Sequence, residues 1–322
     1  MNALKNIFVR VGVLPFLLLA LVILFSVAGG GRFMSLSNLI NMGRQSTYLA
    51  IVTAGQMLTI VCAGFDLSVG SSVALTSVVT SLVLVYFSDP TTAIAAGVLA
   101  SIGMATLIGL ANGLTIAFFR VSPFVVTLGM MSVAQGLALL LSGGVPIFNL
   151  PPGLNKALGT GTVGGLPIPI IVAVAIICLI YVLLNRTRIG RYFYAIGGNQ
   201  EAARLSGISV TKYTFLAYIL CGTLTGITGV MLTARIASGE PNLGAALPLE
   251  SIAAAVIGGV SLRGGEGGVI GAIFGAVLIV LIRNGMDMMN ISSYLQMVVM
   301  GLLLIFAVVM DHFRLALKGR QQ

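Results

Sequence analysis

Residues 92–119 read TAIAAGVLASIGMATLIGLANGLTIAFF, from Thr92 to Phe119 without one Asp, Glu, Lys or Arg. An uncharged run of this length reads as a membrane span, because crossing the hydrocarbon takes about 20 mostly apolar residues. Further apolar runs cover 11–29, 46–64, 67–88, 121–142, 167–185, 213–237, 249–262, 267–283 and 293–311. The run at 249–262 is short and the one at 267–283 is glycine-rich, so both are expected to be broken or tilted. The predicted fold class is all-α: one polytopic helical bundle over 1–322, with about ten transmembrane helices set by that length rule.

Composition points the same way. Of 322 residues, 58% are hydrophobic and 8% charged, against about 25% charged in a soluble globular chain. So few charges cannot clothe a water-facing surface, and lipid must cover most of the chain. The 41 glycines suit helices that approach closely in lipid, where packing drives association.

The net charge of +9 does not point to nucleic acid. The basic residues sit between apolar runs and at the chain ends, with no aromatic-interleaved basic face. They read as a topology signal instead. With the N-terminus in the cytoplasm, Lys5, Arg10, Arg120, Arg186, Arg188, Arg191, Arg204, Lys212, Arg263, Arg314, Lys318 and Arg320 fall inside. Arg32, Arg44, Lys156, Arg235 and Arg283 fall outside. An even number of spans also brings the basic C-terminal tail inside. Ser26-Val27-Ala28 has the small-residue pattern of a signal-peptidase site. The run from Val11 to Ala28 is long for a signal sequence, so an uncleaved first span is expected.

Enzyme and metal chemistry find little support. Cys62, Cys178 and Cys221 each lie in an apolar run, there is no CxxC pair, and His312 is the single histidine. No metal or redox site is expected. The acids are scattered, no Ser/His/Asp set is suggested by spacing, and GxxxxGK[ST] is absent. If ATP drives this protein, another chain hydrolyses it.

Three segments carry functional signals. The loop 186–212, basic and expected in the cytoplasm, contains Gly197-Gly198-Asn199-Gln200-Glu201-Ala202-Ala203-Arg204-Leu205-Ser206-Gly207-Ile208. Asn199 can cap a short helix, with Glu201 in its positive first turn. Ala202 to Leu205 are good helix formers, and Gly207 sits where a left-handed terminator is expected. Such a helix can be an ordinary connection or a peg for a partner.

The second segment is Gly64-Phe65-Asp66-Leu67-Ser68-Val69-Gly70-Ser71. An acid near membrane depth is a functional candidate, and Asp66 can equally cap the following helix. The third runs from Gly258 to Gly271, where repeated glycines predict a tight turn or re-entrant segment rather than a straight helix. Gly271 and Gly275 then offer a small-residue face for helix packing. Polar residues inside the spans, among them Gln56, Asn112, Gln135, Asn284 and Gln296, can line a polar path or join helices. With Asp66 and Ser68 they form the candidate pathway set.

Taken together these stretches resemble the membrane permease subunit of bacterial ribose-type (monosaccharide) ABC importers. The likeness runs over nearly the whole chain. It is carried by Ser37-Asn38-Leu39-Ile40-Asn41, Gly64 to Ser71, Thr187-Arg188-Ile189-Gly190-Arg191-Tyr192, Gly197 to Ile208, Gly258 to Gly271 and Ser292-Ser293-Tyr294-Leu295-Gln296-Met297. Phe65 stands where a smaller aliphatic is usual, and Glu266 where Lys is frequent. The resemblance implies two permease subunits, identical or paralogous, in a bacterial inner membrane. It implies a partner ATPase with two nucleotide-binding cassettes that holds the ATP, and a periplasmic sugar-binding protein. It makes the Asn199–Ile208 segment a coupling helix, with Asn199, Glu201, Ala203, Arg204, Leu205 and Gly207 as its functional positions. An ion-coupled sugar transporter built on Asp66 is the alternative.

Overall fold

The computed structural model describes residues 14–319. Lys5, Arg10 and Arg320, and with them the expected placement of both termini, lie outside the described residues. The helices in chain order are α1 Leu14–Ala28, α2 Leu36–Val61, α3 Val69–Tyr86, α4 Pro90–Phe119, α5 Pro123–Ser142 and α6 Ile168–Arg186. There follow α7 Arg188–Gly198, α8 Gln200–Leu205, α9 Val210–Ile236, α10 Leu247–Ile257, α11 Val269–Met288 and α12 Ser293–Gly319. The only strands among the described residues are β1 Thr162–Val163 and β2 Leu166–Pro167, an antiparallel hairpin.

Local chemistry sets many boundaries. Ser35 caps α2 by accepting from Asn38 N, and Asp89 caps α4 by accepting from Thr92 N at 2.7 Å. Proline begins α4 and α5, where its missing N–H costs nothing. Gly164 and Gly165 supply the two positive φ values that a two-residue hairpin turn requires.

Among the described residues, 7 helices are long and apolar enough to cross a membrane: α3, α4, α5, α6, α9, α11 and α12. That is fewer than expected from the apolar runs, although each run falls on a helix. The shortfall lies in α1, α2 and α10. α1 has 15 described residues. α2 is 26 residues long but carries Asn38, Arg44, Gln45 and Gln56. Every one of its residues from Thr47 to Val61 is buried, so protein rather than lipid surrounds its second half. α10 has only 11 residues, about 16 Å of helix, half of a hydrocarbon core of about 30 Å.

Glycine governs the closest helix crossings. Ala105 and Gly109 of α4 face Gly226 and Gly222 of α9, and a Cβ on Gly109 would lie 3.1 Å from the Gly222 Cα. Two small-xxx-small faces thus meet reciprocally. Side chains at Gly271 and Gly275 would overlap the carbonyls of Gly258 and Ala254, so the expected small face is where α10 crosses α11. α11 itself is a continuous helix of 20 residues, so of the two expectations for 267–283, broken or tilted, it is not broken. The break falls just before it. Gly258 to Gly268 forms consecutive turns, with positive φ at Gly259, Gly264, Gly265 and Gly267.

The bundle therefore has two recognisable ends. At one, the end of α2, the glycine turns before α11, and α7 meet: Gly265 N donates to the Val61 carbonyl at 3.0 Å. At the other, the start of α2 and the end of α11 meet through a reciprocal amide pair, Asn38 with Asn284, at 2.9 and 2.8 Å.

Candidate functional site

The first feature is the peg at the α7 end. Thr187 caps α7 through Gly190 N, and Asn199 caps α8, its Oδ1 accepting from Ala202 N at 2.9 Å. The far end of α8 closes with a Schellman pattern: Gly207 N donates to the Arg204 carbonyl and Ile208 N to that of Ala203, both at 3.0 Å. Gly207 has φ +79°, the left-handed value that glycine takes without strain. Both ends of a helix of 6 residues are thus satisfied. Ala203 turns inward, while Glu201, Arg204 and Leu205 face out, Leu205 at 78% exposure. Arg204 donates to both Glu201 oxygens, at 3.2 and 2.7 Å. That contact holds the Glu201 carboxyl below its usual range.

α7 fixes the peg to the bundle. It buries Gly190, Phe193 and Ile196, and Tyr194 Oη donates to the Gly267 carbonyl at 2.9 Å. Behind α8 lies a cavity of about 690 Å³, lined among others by Ala63, Gly64, Arg120, Pro123, Arg204 and Tyr218.

The second feature is a buried polar cluster beyond that cavity. Asp66 Oδ1 accepts from Ser68 N at 2.8 Å and from Ser68 Oγ at 2.5 Å. Asn112 Nδ2 reaches both Asp66 oxygens and donates to Ser68 Oγ at 3.0 Å. With its amide turned to suit both partners, Gln56 brackets the Asp66 backbone, donating to its carbonyl and accepting from its N–H at 3.2 Å. Tyr218 Oη donates to the Phe65 carbonyl at 3.3 Å. Gln56 of α2, Asn112 of α4 and Tyr218 of α9 thus converge on the turn before α3, where Asp66 accepts from Ser68 two residues on and Ser68 itself is the N-cap residue.

The third feature is a span whose first half is not helical: residues 241–246 form consecutive turns. After α9 ends, Gly239 pairs with Ile147 through two backbone hydrogen bonds, at 2.9 and 2.8 Å, and stands against Ser81. Glu240 N donates to Ser77 Oγ at 3.0 Å, and the Gly244 carbonyl stands against Gly70. From Ser81 to Gly70 is about 16 Å along α3. The segment 238–246 thus runs beside a membrane-length helix before α10 continues in helical form. Gln135 of α5 donates to the Pro241 carbonyl at 2.9 Å and to Asn242 Oδ1 at 3.3 Å. On the side away from α3, Asn242, Ala245, Ala246 and Leu249 are exposed. Non-helical backbone cannot face lipid at that depth; it must line water or another protein.

A family model described as the branched-chain amino acid transport system / permease component matches residues 38–308. The chain belongs to this permease family. The ribose import permease protein of Escherichia coli (strain K12) is 35% identical over 92% of each chain. The galactose/methyl galactoside import permease protein of the same organism is 36% identical over 89% of each. A probable ABC transporter permease protein of Sinorhizobium fredii is 34% identical over 89% of this chain and 84% of its own. No solved structure matches. None of these relatives supports the ion-coupled alternative on Asp66.

In this permease the candidate pathway residues separate into groups. Gln56, Asp66, Ser68 and Asn112 gather in one buried cluster. Gln135 lies apart, against the non-helical segment 238–246. Asn284 joins α11 to α2 through Asn38, and Gln296 donates to Asp287 and to the Ile291 carbonyl at the turn before α12. The permease also holds an ion pair that sequence reasoning missed: Arg283 of α11 donates to Glu250 of α10. A lone arginine closing one apolar run, with an acid near the start of the neighbouring run, was the available signal.

Proposed function

We propose that this chain is the permease subunit of an ATP-binding-cassette importer in the bacterial inner membrane, forming the translocation path for a monosaccharide. The observation that carries the reading is the doubly capped α8 with its outward Glu201, Arg204 and Leu205, in a chain whose relatives are named ribose and galactose import permeases. The partners are an ATPase with two cassettes, a periplasmic sugar-binding protein and a second permease subunit. ATP is held by the ATPase chain.

Mechanically, α8 docks on the ATPase in the cytoplasm. α7 carries the push to the end of α2 and to the glycine turns before α11, which it touches directly. The Val61 end leads within a few residues to the Asp66 turn before α3. The glycine turns lead to α10. Both routes reach elements that adjoin the non-helical segment 238–246. ATP and loaded binding protein favour one arrangement because they bind it better.

Two measurements test this. Reconstituted with its ATPase and binding protein, the permease takes up labelled ribose or galactose only with ATP; uptake by this chain alone under an ion gradient overturns the reading. A cysteine at Ala245 reacts with a water-soluble thiol reagent, whereas one at Leu99 does not. An unreactive Ala245→Cys removes the path from this face.

A further inference from the structure

The Arg283–Glu250 pair lies inside the helical region. α10 and α11 cross where Ala254 meets Gly275, and Arg283 stands eight residues further along α11, about 12 Å. Glu250 stands one turn beyond Ala254 on α10. Arg283 directly precedes Asn284, whose pair with Asn38 marks one end of the bundle, so the ion pair lies toward that end. The pair is unequal: Glu250's side chain is 7% exposed and Arg283's 37%. Glu250 N donates to the Ala246 carbonyl, so Glu250 stands one helical turn from exposed Ala246 of the non-helical segment, next to exposed Leu249.

We infer that Arg283 is a solute-contacting residue of the path and that Glu250 is its positioning residue. The inference rests on the transport reading above and names a residue within it. A guanidinium has several N–H donors in a fixed fork. The structure shows one nitrogen, Nη2, engaged by Glu250. The side chain is 37% exposed, and the N–H donors of such a fork suit the oxygens of a neutral polyhydroxylated solute. Glu250 serves two purposes. It fixes the fork, and it cancels the charge, so that the path does not become a trap for anions. The solute class is therefore an uncharged sugar or polyol, with neighbouring hydroxyls that can share one fork.

The test uses the assembled importer in proteoliposomes, with D-ribose and D-galactose as probes. Arg283→Lys keeps the charge and loses the fork. Arg283→Gln with Glu250→Gln removes both charges and keeps hydrogen-bonding side chains. Each variant is first melted in detergent. With melting unchanged, both slow uptake of the transported sugar by about tenfold, the loss of one good hydrogen bond to a charged group, while ATP hydrolysis stimulated by loaded binding protein persists. Uptake within twofold of wild type in either folded variant makes the pair a structural strut and overturns the inference. If the double variant fails to fold, Arg283→Lys alone decides on the same criterion. Failure of the wild-type protein to take up either sugar with ATP would instead count against the transport reading itself.

Discussion

The backbone of Gly197 rests against the carbonyl of Val61, so closely that any side chain there would overlap it. α7 is thereby seated on the very end of α2, the helix whose second half is enclosed by protein. Gly197→Ala should lower the melting temperature of the purified permease, by the overpacking cost of about 1–3 kcal/mol, and reduce ATP-driven uptake. Gly198→Ala, with open space at its Cβ, should behave as wild type. Equal behaviour of the two variants would remove the seat.

The outward residues of α8 are in a different position. Glu201 and Arg204 are each 65% exposed, and exposed pairs contribute little to folding. Replacing both with alanine should leave insertion and melting unchanged while abolishing uptake and stimulation of the ATPase. Retained uptake in the double variant would refute the docking role of α8.

The Asp66 cluster separates a structural acceptor from a carrier. Asp66→Asn keeps an acceptor for Ser68 N and should fold and transport. Asp66→Ala leaves Ser68 N without its buried acceptor and should cost about 1–3 kcal/mol, read as a fall in melting temperature. Asp66→Asn that melts normally yet transports nothing would show that the acid itself takes part in transport.

Acid should weaken the start of α4. Hydrogen bonds from the Thr92 hydroxyl and N–H hold the Asp89 carboxyl below its usual range. Folding therefore favours the ionised form. Its contribution is complete above the unfolded carboxylate pKa and is lost as pH falls through the lower, folded one. Melting curves of wild type and Asp89→Ala should differ at neutral pH and converge below the carboxylate range. A gap that stays constant down to the most acidic pH tested would contradict this.

Much of this architecture was legible in the sequence, and the rest was hidden for identifiable reasons. Apolar runs mark helices because hydrocarbon demands them. The α8 ends were readable because Asn199 and Gly207 act on their own neighbours. α2 begins ten residues earlier than its apolar run, since Asn38 to Gln45 count against a lipid setting that this helix does not have. The non-helical segment 238–246 could not be read at all. Its partners, Ser77, Gln135 and Ile147, belong to distant parts of the chain. Arg283 and Glu250 are 33 residues apart, and nothing local ties one to the other.

The run of turns beside α3 has a bearing on how such a protein can change over generations. Adding or deleting one residue within a helix rotates everything after it by about 100°, scrambling every contact downstream. Between Ser238 and Ala246 there is no helical phase to lose. Such a change there can be absorbed as slack, reshaping the passage while α9 and α10 keep their seats. Substrate range can thus drift without the scaffold being rebuilt.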